Sequence, residues 1–222
     1  MKIMKRVIVV CVTMLLCGCD LVHWNETYLQ SYTWAYCVID DKSEAEVVIG
    51  GDKIFFSLPL EKYAIRDESS GAYDELSRLY GDDNFNTWSY WLVFGPKSNS
   101  WAFPFSTFEI VGVADFDDHH PAGALLNDVV EITYTTHKFF IENGYQHTDK
   151  GRASDDYSGN QVTKKLSELL PDDAIFMEPE SFVLSFSSQP TIAQQNRFSL
   201  KVCLEGEEPY VVEFDMDFGA SE

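Results

Sequence analysis

The chain has 222 residues, of which 45% are apolar and 14% aromatic, so a packed core is expected and a disordered tail is not. Its 16 Lys and Arg stand against 36 Asp and Glu, for a formal net charge of −20. Such an excess repels phosphate backbones and anionic headgroups, which argues against nucleic acid as a partner and against attachment through a basic surface.

The first stretch in chain order is a sorting signal. Lys2, Lys5 and Arg6 precede an apolar run over 7–17, and no acidic residue occurs before Asp20. A basic start, a short apolar middle and a small residue at the cut form the secretory pattern, and the run falls well short of the roughly 20 residues a spanning helix needs. Its end, Leu16-Cys17-Gly18-Cys19, resembles the lipobox of bacterial lipoproteins. That resemblance implies a lipoprotein signal peptide over 1–18, with Leu16 and Gly18 as recognition positions and Cys19 as the lipidated amino terminus. Cys17 is the rival acceptor, but it would put bulky Leu16 at the position before the cut. Plain secretion with cleavage nearby is the alternative. Each buried acyl methylene contributes about 0.8 kcal/mol, so two or more chains hold a protein durably on a membrane. The implied location is the bacterial cell envelope, with the protein held to a membrane through its lipid. Asp20 resembles the inner-membrane retention mark of enterobacteria; other bacteria sort by different rules, so inner and outer membrane both stay open.

Residues 19–30 lack a clear period and read as a tether, and 31–222 as the folded domain, with 83 the place for any subdivision. Aromatic and branched residues alternate over 32–39, which suggests a strand. The runs 45–49 and 53–58 flank Gly50-Gly51-Asp52, a hairpin signal. Helical spacing over 72–80 ends at Gly81. Alternation returns over 87–95, 109–114 and 129–136, while Pro104 places 101–105 at an edge. Over 144–160 no period is visible. Leu166, Leu169 and Leu170 cluster at helical spacing before Pro171, so 163–170 reads as a helix. The clearest alternation is 182–186, then 198–204 and 210–218 joined by a turn at 205–209, a hairpin with one dry and one wet face. These elements predict a mainly β, antiparallel β-sandwich with one or two short helices, and an immunoglobulin-like topology is the favoured order.

No GxSxG elbow, HExxH helix, GxGxxG fingerprint or phosphate loop occurs. The stretch 82–86 opens like a calcium loop but has Thr87 where Gly belongs, so the EF-hand reading fails. The densest polar group is Asp115, Asp117, Asp118 and His119, followed by His120. Its carboxylates suit Ca²⁺ and its histidines a transition metal; an exposed acidic loop turned by Pro121 and Gly123 is the other reading. Trp91 and Trp101 are candidates for stacking on a glycan, against the commoner fate of such rings as core. Cys37 and Cys203 are the cysteines left outside the signal and the lipidated position. Export permits a disulfide between them, contributing about 4–5 kcal/mol in the chain-entropy model, and two separate thiols are the alternative.

The segment Phe108-Glu109-Ile110-Val111 through Asp115-Phe116-Asp117 to Pro121-Ala122-Gly123, with the 198–204 strand and the Gly206 turn, resembles lipoproteins of Bacteroidota. The resemblance covers roughly the second half of the chain and implies a lipid-anchored β-rich envelope protein; it brings no catalytic residues to carry over. The expected function is therefore a non-enzymatic binding or assembly module. A glycan-binding accessory lipoprotein is the alternative, and a metal-dependent enzyme on the Asp115–His119 group comes third. An envelope protein or a glycan is the expected partner.

Overall fold

The structure, a computed structural model, describes residues 26–66, 71–85, 87–90, 98–146, 160–191 and 195–218. In chain order its first strands are β1 (Glu26–Leu29), β2 (Ala35–Ile39), β3 (Glu46–Gly50), β4 (Lys53–Ser57) and β5 (Leu60–Ile65). Helix α1 (Ala72–Leu79) leads to β6 (Thr87–Tyr90), β7 (Asn99–Trp101), β8 (Phe105–Gly112) and β9 (Val130–Thr136). After the short helix α2 (Lys138–Glu142) come β10 (Asn160–Lys165), β11 (Met177–Phe186), β12 (Gln195–Leu204) and β13 (Tyr210–Asp217).

The fold is mainly β, as the alternation predicts. A five-stranded sheet in the order β10-β9-β11-β4-β3 faces a three-stranded sheet β13-β12-β8, and every pair within both is antiparallel. Set β10 aside, and β3-β4-β11-β9 against β8-β12-β13 follows the ABED/CFG strand order of an immunoglobulin constant-type sandwich. Period-two burial explains the packing. On β9 Val130, Ile132, Tyr134 and Thr136 are buried and the residues between them are not. Phenylalanines then bridge the sheets: Phe56 of β4 stacks on Phe182 at 5.4 Å and meets Phe214 of β13 edge-on at 5.4 Å. Phe186 of β11 lies 4.9 Å from Phe198 of β12. Each such ring contributes on the order of 1.5–3 kcal/mol by burial alone. This core runs from Tyr36 to Met216 and so takes residues from both sides of Asp83.

Connections sort to the two ends of the sandwich. The β3–β4 turn, closed by Gly51 at φ 67, shares one end with the β8–β9 loop and the start of the β11–β12 connection. The other end gathers the long insertions between β4 and β8 and between β9 and β11. There β2 pairs with β5 antiparallel and with β7 parallel, making a third sheet, and β1 pairs with β6. Helix α1 lies against β2 and β5 through Tyr73 and Leu76, with Asp74 and Glu75 in its first turn and Arg78 in its last, as its dipole favours. Gly81, at φ 75, ends it.

Two expectations change. Residues 163–170 are not a helix: β10 pairs along β9, Thr163 and Thr133 hydroxyls meet at 2.8 Å, and only Leu166–Glu168 turns as a 3₁₀ helix. Residues 26–29, read as part of the tether, form β1 instead. Helix α2 and strand β5 had no sequence expectation.

Candidate functional site

The elaborated end of the sandwich is built around one buried carboxylate. Asp82, the residue after the helix-stopping Gly81, is fully buried. Its Oδ1 accepts the Tyr32 N–H at 2.8 Å and the Tyr145 hydroxyl at 2.9 Å, and its Oδ2 accepts the Thr33 N–H at 2.8 Å. Burial pushes the Asp82 carboxyl above the usual range, against the pull of those donors. The same segment is gripped from its other side. Arg66 Nη2 donates to the carbonyls of Thr33, at 2.6 Å, and Ser31, and the Tyr73 hydroxyl also donates to Thr33 O. The Arg66 guanidinium lies 5.5 Å from the Trp34 ring and 5.9 Å from that of Tyr73, within cation–π range, while its Nε and Nη1 are buried without a hydrogen-bond partner.

An aromatic cluster closes over this knot. The Tyr32 ring packs on Phe140 at 5.0 Å, His137 at 5.1 Å and Phe85 at 5.5 Å. His137 is itself buried and its Nε2 meets Glu178 Oε1 at 2.9 Å. Two side-chain-bearing residues here take left-handed backbone, Tyr145 at φ 61 and Phe176 at φ 66. Such residues cost on the order of 1–3 kcal/mol each and persist where surroundings over-determine them. Tyr145 is fixed by its N–H to Phe140 O at 2.8 Å and its hydroxyl to Asp82. Phe176 is fixed by its N–H to Ser100 Oγ at 2.8 Å and by the His137 N–H to its carbonyl at 2.9 Å.

Chemically this arrangement holds backbone. Both Asp82 oxygens are occupied by donors of the chain, and the knot joins segment 31–34 to α1, to the residue after β5 and to the α2 region. Apart from the knot, at the far ends of β2 and β12, Val38 and Leu204 line a groove of about 180 Å³ together with Asp41, Glu61, Glu207 and Glu208. None of this was visible as a motif. Thr33 and Tyr32 lie 49 and 50 residues from Asp82, and the one local signal was an Asp directly after a helix stop.

The residues singled out by sequence fall elsewhere. The Asp115–His120 loop sits at the opposite end. There Asp117 Oδ1 accepts the N–H groups of His119 and His120, each at 2.8 Å, and contacts His120 Nδ1 at 2.8 Å. His120 Nε2 lies 3.2 Å from Asp128 Oδ1, and Asp115 Oδ1 accepts the Ala122 N–H at 2.7 Å. Desolvation opposes charge on both partners, yet the N–H groups and His120 hold the Asp117 carboxyl low, and Asp117 and Asp128 raise His120. Asp118 and His119 point to solvent, and among the described residues no three His, Cys, Asp or Glu side chains are grouped to hold a metal. Of the residues expected as metal ligands, Asp115 and Asp117 each use one carboxylate oxygen to turn the loop. Trp101 is fully buried, 6.0 Å from Phe105, because β7 lies between β2 and β11; it presents no face to a glycan. Trp91 lies outside the described residues, as do Leu16, Gly18 and Cys19. Cys37 and Cys203 are separate buried thiols, the first enclosed between β5 and β7, the second donating toward the carbonyls of Leu204 and Glu207. Burial pushes the Cys37 thiol up to about 11. No family model, curated protein or solved structure matches the chain.

Proposed function

We propose that the protein is a lipid-anchored component of the bacterial cell envelope whose β-sandwich serves as a non-enzymatic binding or assembly module. The observation that carries the reading is Leu16-Cys17-Gly18-Cys19 at the end of a short apolar run with a basic start. One structural feature and one of composition support it. The elaborated end of the sandwich uses its buried carboxylate to hold the backbone of Tyr32 and Thr33, close after β1, which suits a domain hung from its amino end. The strong negative charge repels anionic headgroups, so a lipid is the attachment consistent with the composition.

Metabolic labelling with a radioactive fatty acid tests the reading. The wild-type chain takes up label and Cys19→Ala does not, and the variant accumulates at the precursor size. Label that persists in Cys19→Ala, or a wild-type chain recovered from the cytosol with Met1 in place, overturns it.

A further inference from the structure

The leash is shorter than the body it holds. If Cys19 carries the lipid, as proposed above, six residues separate it from Glu26, where β1 begins. Fully extended, those seven steps reach at most about 25 Å. A ten-residue strand such as β11 or β12 is about 33 Å long, so the sandwich is longer than its tether. The tether runs through β1 into Tyr32 and Thr33, which Asp82 clamps at the elaborated end of the sandwich. That end is therefore the one held against the bilayer, and the Asp115–His120 loop and the Gly51 turn face away from it.

Two large apolar side chains stand exposed beside the clamp. Leu79 closes α1 three residues before Asp82 and is 70% exposed. Phe139 of α2 is 55% exposed, and its neighbour Phe140 packs directly on the Tyr32 ring. In the adjoining cluster Phe85, Phe140 and Tyr145 are only partly buried, and Tyr145 joins an apolar ring to a polar hydroxyl, as suits a headgroup boundary. Acidic residues share the same stretches: Asp74 and Glu75 in α1, Asp83 after it, Glu142 in α2. They disfavour an anionic surface, so the contact is apolar and zwitterionic in kind.

We infer that Leu79 and Phe139 rest in the interfacial layer of the same bilayer that holds the lipid of Cys19, fixing the domain with its elaborated end down. This rests on the lipidation reading, and the test separates the two. Full-length lipidated protein carrying a single environment-sensitive fluorophore at Leu79→Cys, Phe139→Cys or Asp52→Cys is reconstituted into phosphatidylcholine vesicles. Cys37 and Cys203 are buried and stay unlabelled in the native protein. Nitroxide-headgroup lipid quenches the fluorophores at positions 79 and 139 and leaves position 52 bright. Flotation with the vesicles but equal quenching at all three positions, or none at 79 and 139, overturns the orientation while leaving the anchor intact. Failure to float refutes the anchor and the orientation with it. As a second variant, Leu79→Asp combined with Phe139→Asp still floats but loses the difference in quenching between a fluorophore at Glu142→Cys and one at Asp52→Cys. An unchanged difference counts against the inference.

Discussion

Replacing Asp82 by Ala strips acceptors from two backbone donors that have nowhere else to turn. Tyr32 and Thr33 are buried, and each of their N–H groups ends on an Asp82 oxygen at 2.8 Å. An unsatisfied buried donor costs about 1–3 kcal/mol, so two cost about 2–6 kcal/mol. Tyr145 is only partly buried and its hydroxyl can turn to water, so its loss adds little. The variant gains something back, because burial already disfavours the ionised carboxylate. A net loss of about 3 kcal/mol is the expected balance, a large fraction of the 5–15 kcal/mol that domains usually have. Urea unfolding followed by tryptophan fluorescence reads it as a lower midpoint at unchanged slope. Amide exchange at Tyr32 and Thr33 should accelerate together, because both donors hang on the same carboxylate. The titration has a definite sign. Asp82 has its folded pKa raised above the ordinary 3.8, so its protonation stabilises the fold fully below 3.8 and that stability is lost as pH rises through the folded value. Asp82→Asn lacks the titration, so its deficit against wild type should widen as the pH is lowered toward 3.8. A midpoint for Asp82→Ala within error of wild type, with Tyr32 and Thr33 still protected, would refute the clamp.

Tyr145→Phe removes one hydrogen bond to Asp82 and should cost about 1 kcal/mol in the same unfolding assay. Trp101→Ala leaves a large void in a fully buried site and should cost about 3–5 kcal/mol, read by calorimetry; a ring placed for glycans would cost far less. The Asp115–His120 loop should be firmest between pH 3.8 and 6.5. His120, raised from 6.5, lends stability that is lost as pH rises through its folded value, and Asp117, lowered from 3.8, lends stability lost as pH falls through its own; NMR titration of the two side chains checks both directions. In the native protein Cys37 and Cys203 should resist a thiol reagent and then react together on unfolding, whereas a disulfide would yield neither.

Much of the sandwich is legible from local pattern. Gly50-Gly51-Asp52 between two branched runs marks the β3–β4 hairpin, and alternation with acidic residues on one face marks β13. The failures have physical causes. Leu166, Leu169 and Leu170 imitate a helix, but Thr163 and Lys164 are claimed by ladder bonds to β9, and tertiary pairing outranks spacing. The five residues of α2 are too few to show a period, and β7 pairs parallel with β2 from a distance. The Asp82 clamp is illegible for the same reason: Arg66, Tyr145 and Tyr32 meet only once the insertions fold onto one end. The densest run of titratable residues in the sequence, by contrast, satisfies itself locally: Asp117 accepts the His119 N–H two residues on, an Asx-type bond, and Asp115 accepts the Ala122 N–H seven residues on.

The proposed membrane anchor stands on Cys19 most of all. Mass spectrometry of the amino-terminal peptide of protein extracted from native membranes measures it directly. The predicted peptide begins at Cys19 and carries the added mass of a diacylglyceryl group. A peptide that begins at Met1, or one that begins beyond Cys19 without lipid, would contradict it.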